Sequence, residues 1–314
     1  MPKKRLQNII AESRWALQVL VPIILAIWVL VAYFERSVIV SLACLLASAF
    51  LIIELNNRNS LIRIYSRMIP CSFLILVTMS IFLFIDIRTA VVTLCFAGFY
   101  NAIFRCYQDE HSQGWVFYAF LCLGIASTFC IRILFFVPLV WILLRTNLLV
   151  MNVKIFVSSI LGIIFPYWFL ILYFAAIGKS ERILQHVVQL AQFDVPAQLN
   201  ILSGQQMLML VYLFVCALTG TVHFIRQKCN DSIRTRLLYK FFMTIDFAAF
   251  AFAILQPRHY CILLSVMTVS TTPLIAHFFV FTHTRVTNMA FKLFIVGAVA
   301  LTAYNLWTFL PISF

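Results

Sequence analysis

The chain has 314 residues, of which 64% are hydrophobic and only 11% are charged. Soluble domains carry roughly 25% charged and about 45–50% apolar residues, so this composition excludes an ordinary soluble protein and indicates a membrane protein. The net charge of +13 does not indicate a nucleic-acid partner, because the cations are spread over many short segments rather than concentrated on one face. The expected partners are membrane lipids.

Long apolar runs dominate the sequence. They recur about eleven times, each close to the roughly 20 residues that cross a ~30 Å hydrocarbon core. We therefore expect an all-α fold, a polytopic transmembrane helix bundle of about 11 spans, within a range of roughly 10 to 12. The gaps between runs are short, so residues 1–314 are expected to form a single integral-membrane domain.

The distribution of Lys and Arg predicts the orientation. If alternate gaps are assigned to the same side, one side receives seventeen of the 23 cations. They are Lys3, Lys4, Arg5, Arg14, Arg58, Arg63, Arg67, Arg105, Arg145, Lys154, Arg226, Lys228, Arg234, Arg236, Lys240, Arg285 and Lys292. The positive-inside rule then places the N-terminus in the cytoplasm and the C-terminus outside a cell inner membrane.

The first spans are expected at residues 15–34, at residues 37–56 and at residues 68–85. Between the second and third, residues 61–67 carry Arg63 and Arg67, four positions apart and therefore on one helical face. This spacing predicts a short interfacial helix, and the simpler alternative is a basic loop.

The fourth span ends at Arg105 and is followed by a polar inner loop. Residues 115–144 form an apolar run of about 30 residues, which is too long for one untilted crossing. Arg132 near its middle predicts a break at the outer surface, with two short helices meeting there. The seventh span, residues 154–177, contains Pro166, which is expected to kink it.

Residues 178–206 form the longest outer loop. Apolar residues from Ile183 to Ala191 share one face of a helical projection, and the glutamines share another. This pattern predicts one amphipathic interfacial helix, ending at Pro196. The remaining segments are spans at 207–225, 241–255, 260–282 and 286–309, a basic inner loop at 226–240 and an outer turn at 256–259.

Asp246 is the one acid deep within a span. A carboxylate in hydrocarbon costs about 2.5 kcal/mol or more, so it normally faces the protein interior with a partner. A functional interpretation is a proton or cation relay, or a substrate contact. The alternative is an acid capped by a neighbouring Thr, His or Lys.

A second set of polar residues lies in the outer turns. A cleft that combined carboxylates and arginines there would suit a phosphorylated lipid, with Arg binding phosphate oxygens and an acid acting as general base. The alternative is that these turns are simply polar, with Asp86 and Arg88 paired. The set comprises Glu35, Arg36, Asp86, Arg88, Arg132, Arg258 and His259.

No dinucleotide-binding or phosphate-binding glycine loop and no zinc-protease motif occurs in the sequence, so no cofactor is indicated. The spacing of His223, His277 and His283 does not match a metal motif. We expect these histidines to be hydrogen-bonded within the bundle, and we predict no metal site.

Three segments carry a family resemblance. The runs WVFYAFLCLGIASTFCIRILFFVPLVWILLRT and KIFVSSILGIIFPYWF, with STTPLIAH near the end, resemble an uncharacterised family of polytopic inner-membrane proteins of Bacteroidetes-type bacteria. More distantly, the LGIAS helix, the polar break and the following Gly/Pro helix resemble the membrane cores of C-type, lipid-sugar-dependent glycosyltransferases.

That distant likeness implies an activity. It implies handling of a sugar linked to a polyprenyl-phosphate lipid at the outer face, with Glu35 or Asp86 as the base. Arg132 and Arg258 would contact the lipid phosphate, with Arg88 and His259 beside them. Two other functions stay open: a non-catalytic membrane subunit or scaffold, and a transporter of small molecules or ions, for which Asp246 and the kinked helices argue.

Overall fold

The computed structural model describes residues 5–178, 181–191, 199–227 and 231–309. In these ranges all regular secondary structure is helical. Its helices are α1 (Leu6–Glu12), α2 (Ala16–Phe34), α3 (Val38–Asn59), α4 (Met68–Met79), α5 (Ile87–Ile103), α6 (Gln113–Phe129), α7 (Phe136–Leu143), α8 (Val153–Ala176), α9 (Glu181–Val188), α10 (Gly204–Gln227), α11 (Ile233–Leu255), α12 (Tyr260–Phe281) and α13 (Arg285–Phe309).

The predicted polytopic helix bundle is confirmed. In the described part of the chain, nine helical segments are long and apolar enough to cross a membrane. Two shorter apolar helices, α4 and α6, bring the number of apolar helical segments in the described residues to eleven. At about 1.5 Å per residue α4 is only about 18 Å long. Eleven of its twelve residues are buried, and such a short element is tolerated at membrane depth because protein surrounds it.

Helix α12 is the centre of the bundle. In the membrane-spanning stretch that contains it, 89% of the residues are buried, compared with 17% for α2, α8 and α13 at the periphery. Its neighbours α4, α5, α10 and α11 pack around it. The approach of α10 is close, since a Cβ on Gly220 would lie 2.6 Å from the carbonyl oxygen of Leu274. Only glycine leaves room for this contact.

The expected break at Arg132 is confirmed. Helix α6 ends at Phe129, and Cys130 adopts an extended conformation with φ −147°. A 3₁₀ turn, Ile131–Phe135, carries Arg132 and leads into α7. The polar interruption therefore divides the long apolar run into two helices.

The prediction of an interfacial helix at residues 61–67 is wrong, because the segment is a non-helical loop. Ser60 ends α3 in the left-handed conformation with φ 47°. Leu61 and Ile62 are buried in the bundle, and the Ser66 hydroxyl donates to the carbonyl of Ala11 at 2.7 Å. Tertiary contacts satisfy this segment, so the local arginine spacing does not determine its conformation.

The basic inner loop expected at residues 226–240 is also shorter than predicted. Ser232 caps α11 by accepting a hydrogen bond from the backbone N–H of Thr235 at 3.1 Å. Arg234, Arg236 and Lys240 therefore lie on the first turns of a helix. Helix α1 was not expected, and the Gln7 side chain ties it to α12 by donating to the Phe279 carbonyl at 2.6 Å.

The amphipathic helix of the longest outer loop is present as α9. Its apolar side chains Leu184, Val187 and Val188 are exposed from the protein, as expected for a helix in contact with lipid. His186 reaches back to the carbonyl of Ser127 at 3.1 Å, which fixes α9 beside α6. Gln192 and Pro196, expected to finish this helix, lie outside the described residues.

The helix ends that flank the connections α3–α4, α5–α6, α7–α8, α10–α11 and α12–α13 meet at one end of the bundle, which we call the basic end. Contacts there join segments distant in the sequence. They include Arg105 to Glu54 at 3.1 Å, Arg234 to Asn59 at 2.9 Å, Asn147 to the Leu237 carbonyl at 3.1 Å, and Arg5 to the His283 carbonyl. We call the other end the opposite end.

We predict that the basic end faces the cytoplasm. In intact cells, a membrane-impermeant maleimide should label a cysteine introduced at Glu181, which lies between spans on the predicted outer side. It should not label one at Thr284, which is exposed at the basic end. Labelling of the cysteine at Thr284 but not of the one at Glu181 would show that the topology is the reverse of the predicted one.

Candidate functional site

The two candidate bases, Glu35 and Asp86, lie in separate turns at the opposite end. Glu35 is exposed and accepts a hydrogen bond from the Ser37 hydroxyl at 2.9 Å. Asp86 caps α5 by accepting from the backbone N–H of Arg88 at 3.0 Å. Its Oδ1 also lies 4.0 Å from Nε of Arg88, with both side chains more than half exposed. Such an exposed pair contributes little to stability.

Arg132 is buried near the same end, with only 7% of its surface exposed. The ring of Phe135, in the same 3₁₀ turn, lies 5.7 Å from the ring of Phe252 on α11. Helix α11 ends one turn later, and the 3₁₀ turn Pro257–His259 follows it. The turn that holds Arg132 therefore packs against the helix that leads to Arg258 and His259.

Asp86 comes near this group from another side. It lies within electrostatic range of Cys261, on the first turn of α12 and directly after Pro257–His259. Arg132, Arg258 and His259 each have interaction partners. The hydrogen bond of Glu35 to Ser37 lies within its own turn. A cavity shared by Glu35 and these residues therefore stays a prediction.

Asp246 is fully buried between α11 and α12. The hydroxyl of Thr271 lies 2.9 Å from one of its carboxyl oxygens and 3.1 Å from the other. Beside it, the hydroxyls of Tyr100 and Ser270 are 2.7 Å apart. This geometry is the one expected for an acid capped by a neighbouring threonine.

A cavity with a polar, charged lining lies at the basic end of the described structure, and the sequence alone did not indicate it. We call it the basic cleft, and its volume is about 370 Å³. The end of α3, the loop that follows it and the start of α11 form its walls. Its lining residues are Arg58, Asn59, Ser60, Leu61, Arg63, Asp231, Ser232, Arg234 and Thr235.

Arg234 is held in a fixed orientation in the cleft wall. Its Nη2 donates to Oδ1 of Asn59 at 2.9 Å and to the carbonyl of Phe104 at 3.4 Å. Its guanidinium also lies 5.6 Å from the ring centroid of Tyr107. These contacts use neutral acceptors, so the positive charge of Arg234 is not cancelled by an acid among them.

A charge network supports the cleft from the side of α3. Glu54 accepts from Arg105 at 3.1 Å and lies 3.1 Å from Arg58, one turn later on α3. The guanidinium of Arg105 stacks 3.9 Å from the ring centroid of Trp115. Glu54 therefore orders Arg58 at the cleft edge without entering the cavity.

Asp231 forms the acidic floor of the cleft, with an exposed fraction of 8%. Its Oδ1 lies 4.0 Å from Nε of Arg63 in the cleft wall, and its Oδ2 lies 3.1 Å from Nε2 of the buried His277. The ring of His223 is 5.5 Å from that of His277. Two of the histidines singled out from the sequence thus meet directly beneath the cleft.

His283 is hydrogen-bonded to Asn8 instead, and the distance between Nδ1 of His283 and Nδ2 of Asn8 is 2.6 Å. Within the residues that the structure describes, no group of three or more His, Cys, Asp or Glu side chains could hold a metal ion. The chemistry that the basic cleft offers is therefore that of cations and hydrogen-bond donors, with one acid beneath them.

Thr271→Val should destabilise the protein by about 1–3 kcal/mol, because it leaves a buried carboxyl without the hydroxyl beside it. Thr272→Val is the matched control, since that hydroxyl only donates to the carbonyl of Thr268 in its own helix. Thermal unfolding in detergent should give a lower Tm for Thr271→Val than for Thr272→Val. Equal Tm values would contradict the role of this contact.

Comparison with known proteins does not assign the chain to a family. No family model, curated protein or solved structure matches it. The function is therefore inferred from the contacts, burial and charge of its own residues.

Proposed function

We propose that this integral membrane protein binds a phosphate-bearing lipid by its headgroup, in the basic cleft. The observation that carries the proposal is the lining of that cavity. Three arginines, Arg58, Arg63 and Arg234, face a single acid, Asp231. The cleft therefore has a formal charge of +2 and favours an anion.

The arginines suit phosphate in particular. A guanidinium presents its N–H groups in a planar fork that matches phosphate oxygens, and such charge-assisted hydrogen bonds are roughly twice as strong as neutral ones. The contacts of Arg234 with Asn59 and Phe104 hold the side chain in place before a ligand arrives. Less conformational entropy is then lost on binding.

The position of the cleft favours a lipid over a free anion. The cleft lies where α3 ends and α11 begins, at the end of the bundle where the basic residues collect. Basic pockets between transmembrane helices on the cytoplasmic side are typical binding sites for anionic lipid headgroups. A polyprenyl-phosphate lipid, the partner implied by the distant family resemblance, presents the same phosphate chemistry.

Arg234→Ala and Arg63→Ala should each weaken binding of phosphatidylglycerol by about tenfold or more, since each removes a charge-assisted hydrogen bond worth about 1.5–3 kcal/mol. The matched control is Arg285→Ala, which removes an exposed arginine at the same end but outside the cleft. Native mass spectrometry of the full chain with short-chain phosphatidylglycerol would measure the bound fraction.

Soluble glycerol phosphate separates a lipid from a free anion. Stronger binding of the lipid supports the proposal, whereas equal binding of both would assign the cleft to a soluble phosphate. An equal loss of lipid binding in the Arg285→Ala control would show that only the overall charge matters, and would contradict the proposed site.

Sugar transfer from a polyprenyl-phosphate lipid at the opposite end is a second candidate function. The buried position of Arg132, in a turn that packs against the helix leading to Arg258 and His259, favours it. Glu35 or Asp86, in the turns at the same end, would act as the base. Arg132 and Arg258 would hold the lipid phosphate as it leaves the sugar.

If this second function is correct, Arg132→Ala should lower transfer of a radiolabelled sugar from polyprenyl phosphate by about 10²-fold, because it removes a donor that stabilises developing charge. The variant should still insert and fold. Tyr33→Ala, which removes a side chain that is 83% exposed near the same end and outside that set of residues, should retain activity. Absence of transfer by the native protein in proteoliposomes would exclude the function.

A further inference from the structure

Three ionisable side chains form a buried row directly beneath the basic cleft. Asp231 lies at the top, His277 contacts it at 3.1 Å, and the ring of His223 follows at 5.5 Å from that of His277. The exposed fractions of the two imidazoles are only 1% and 8%. One carboxyl oxygen of Asp231 faces Arg63 in the cleft, and the other faces His277. Asp231 therefore joins the cleft to the buried histidines.

Two histidine nitrogens in this row are buried and form no hydrogen bond with the described residues. Neither Nδ1 of His277 nor Nε2 of His223 has a hydrogen-bond partner in the part of the chain that the structure describes. A buried polar atom without a partner is destabilising, and in a native structure it calls for an explanation such as a catalytic role or a bound water or ion. The imidazole of His277, with an open nitrogen and a carboxylate beside it, can accept a proton.

We propose that His277, next to the ring of His223, binds a proton, and that Asp231 couples this protonation to phosphate binding in the basic cleft. The inference rests on the proposed function, because it concerns the affinity of that same cleft. The ligand of the new site is a proton from solvent, which adds to one imidazole nitrogen.

The direction of the coupling follows from charge. When both histidines are neutral, the negative charge of Asp231 is shared with Arg63 and repels an incoming phosphate. When His277 is protonated, it pairs with Asp231 as a full cation and offsets that repulsion. A phosphate in the cleft therefore binds more tightly at low pH, and by reciprocity its binding promotes uptake of a proton.

Among the described residues, the other charged and titratable groups that face the row or the cleft above it are one tyrosine and three arginines. From α11, the ring of Tyr239 lies 5.0 Å from that of His277. The arginines are Arg63 from the loop, Arg234 from α11 and Arg58 from the end of α3. Arginine is a cation in proteins across the range in which histidine titrates. Histidine is the side chain that ordinarily changes charge between about pH 5 and 8.

The test is calorimetric titration of the full chain in detergent with short-chain phosphatidylglycerol, at about pH 5.5 and about pH 8, which bracket the range for histidine. This phosphodiester keeps one negative charge across that range, so the lipid does not contribute a pH dependence. The native protein should bind about tenfold more tightly at the lower pH, a typical coupling between two sites.

His277→Gln should abolish the pH dependence and retain binding, whereas His223→Gln should keep a pH dependence because His277 remains on Asp231. The matched control is His111→Gln, which changes an exposed histidine in the α5–α6 connection and should leave the affinity ratio unchanged. A pH dependence that persists in His277→Gln would overturn the inference. Equal native affinity at both pH values would also overturn it.

A measurement on the native protein avoids any folding defect of the variants. Titrations in two buffers with different ionisation enthalpies should give different heats, because lipid binding takes up a fraction of a proton. Equal heats would contradict coupling while leaving lipid binding intact. Absence of lipid binding at both pH values would contradict the proposed function and the coupling together.

Discussion

The free energy required to place a charge or an unpaired backbone group in hydrocarbon shapes this whole molecule. It limits the chain to helices joined by short connections, and it drives arginines and lysines to the helix ends. Arg58, Arg63 and Arg234 meet at one end as a consequence. The basic cleft arises because several such helix ends, each with its cation, pack against one another around a single acid, Asp231.

The same constraint explains the polar character of the central helix. Helix α12 is almost completely buried, yet it carries a series of serine and threonine side chains. Several of these hydroxyls donate to carbonyls of their own helix, as Thr268 does to Leu264 at 2.8 Å. Thr271 and His277 instead reach across to the acids Asp246 and Asp231. These contacts join α12 to α11 and to the residue two positions before the start of α11.

The span count and the break at Arg132 were predictable because they depend on local features, namely run length and a charge that interrupts a run. The conformation of segment 61–67 was not predictable in this way, since burial of Leu61 and Ile62 outweighs the arginine spacing.

The basic cleft could not be predicted from the sequence, because Arg234 and Asn59 are 175 positions apart and only packing brings them together. In the sequence, each cation at the basic end was already explained by membrane insertion, so no signal remained to indicate a binding site. Glu35 and Asp86 attracted attention as acids in outer turns, but their clearest contacts are within those turns.

Binding of a lipid phosphate in the basic cleft can be tested directly by electron cryomicroscopy of the protein in nanodiscs that contain phosphatidylglycerol. We expect phosphate density within hydrogen-bond distance of the Arg234 and Arg63 guanidinium groups, with an acyl chain leading from the cleft into the bilayer. An empty cleft, together with ordered lipid phosphate only beside Arg132 and Arg258, would contradict lipid binding in the cleft and move the functional site to the opposite end.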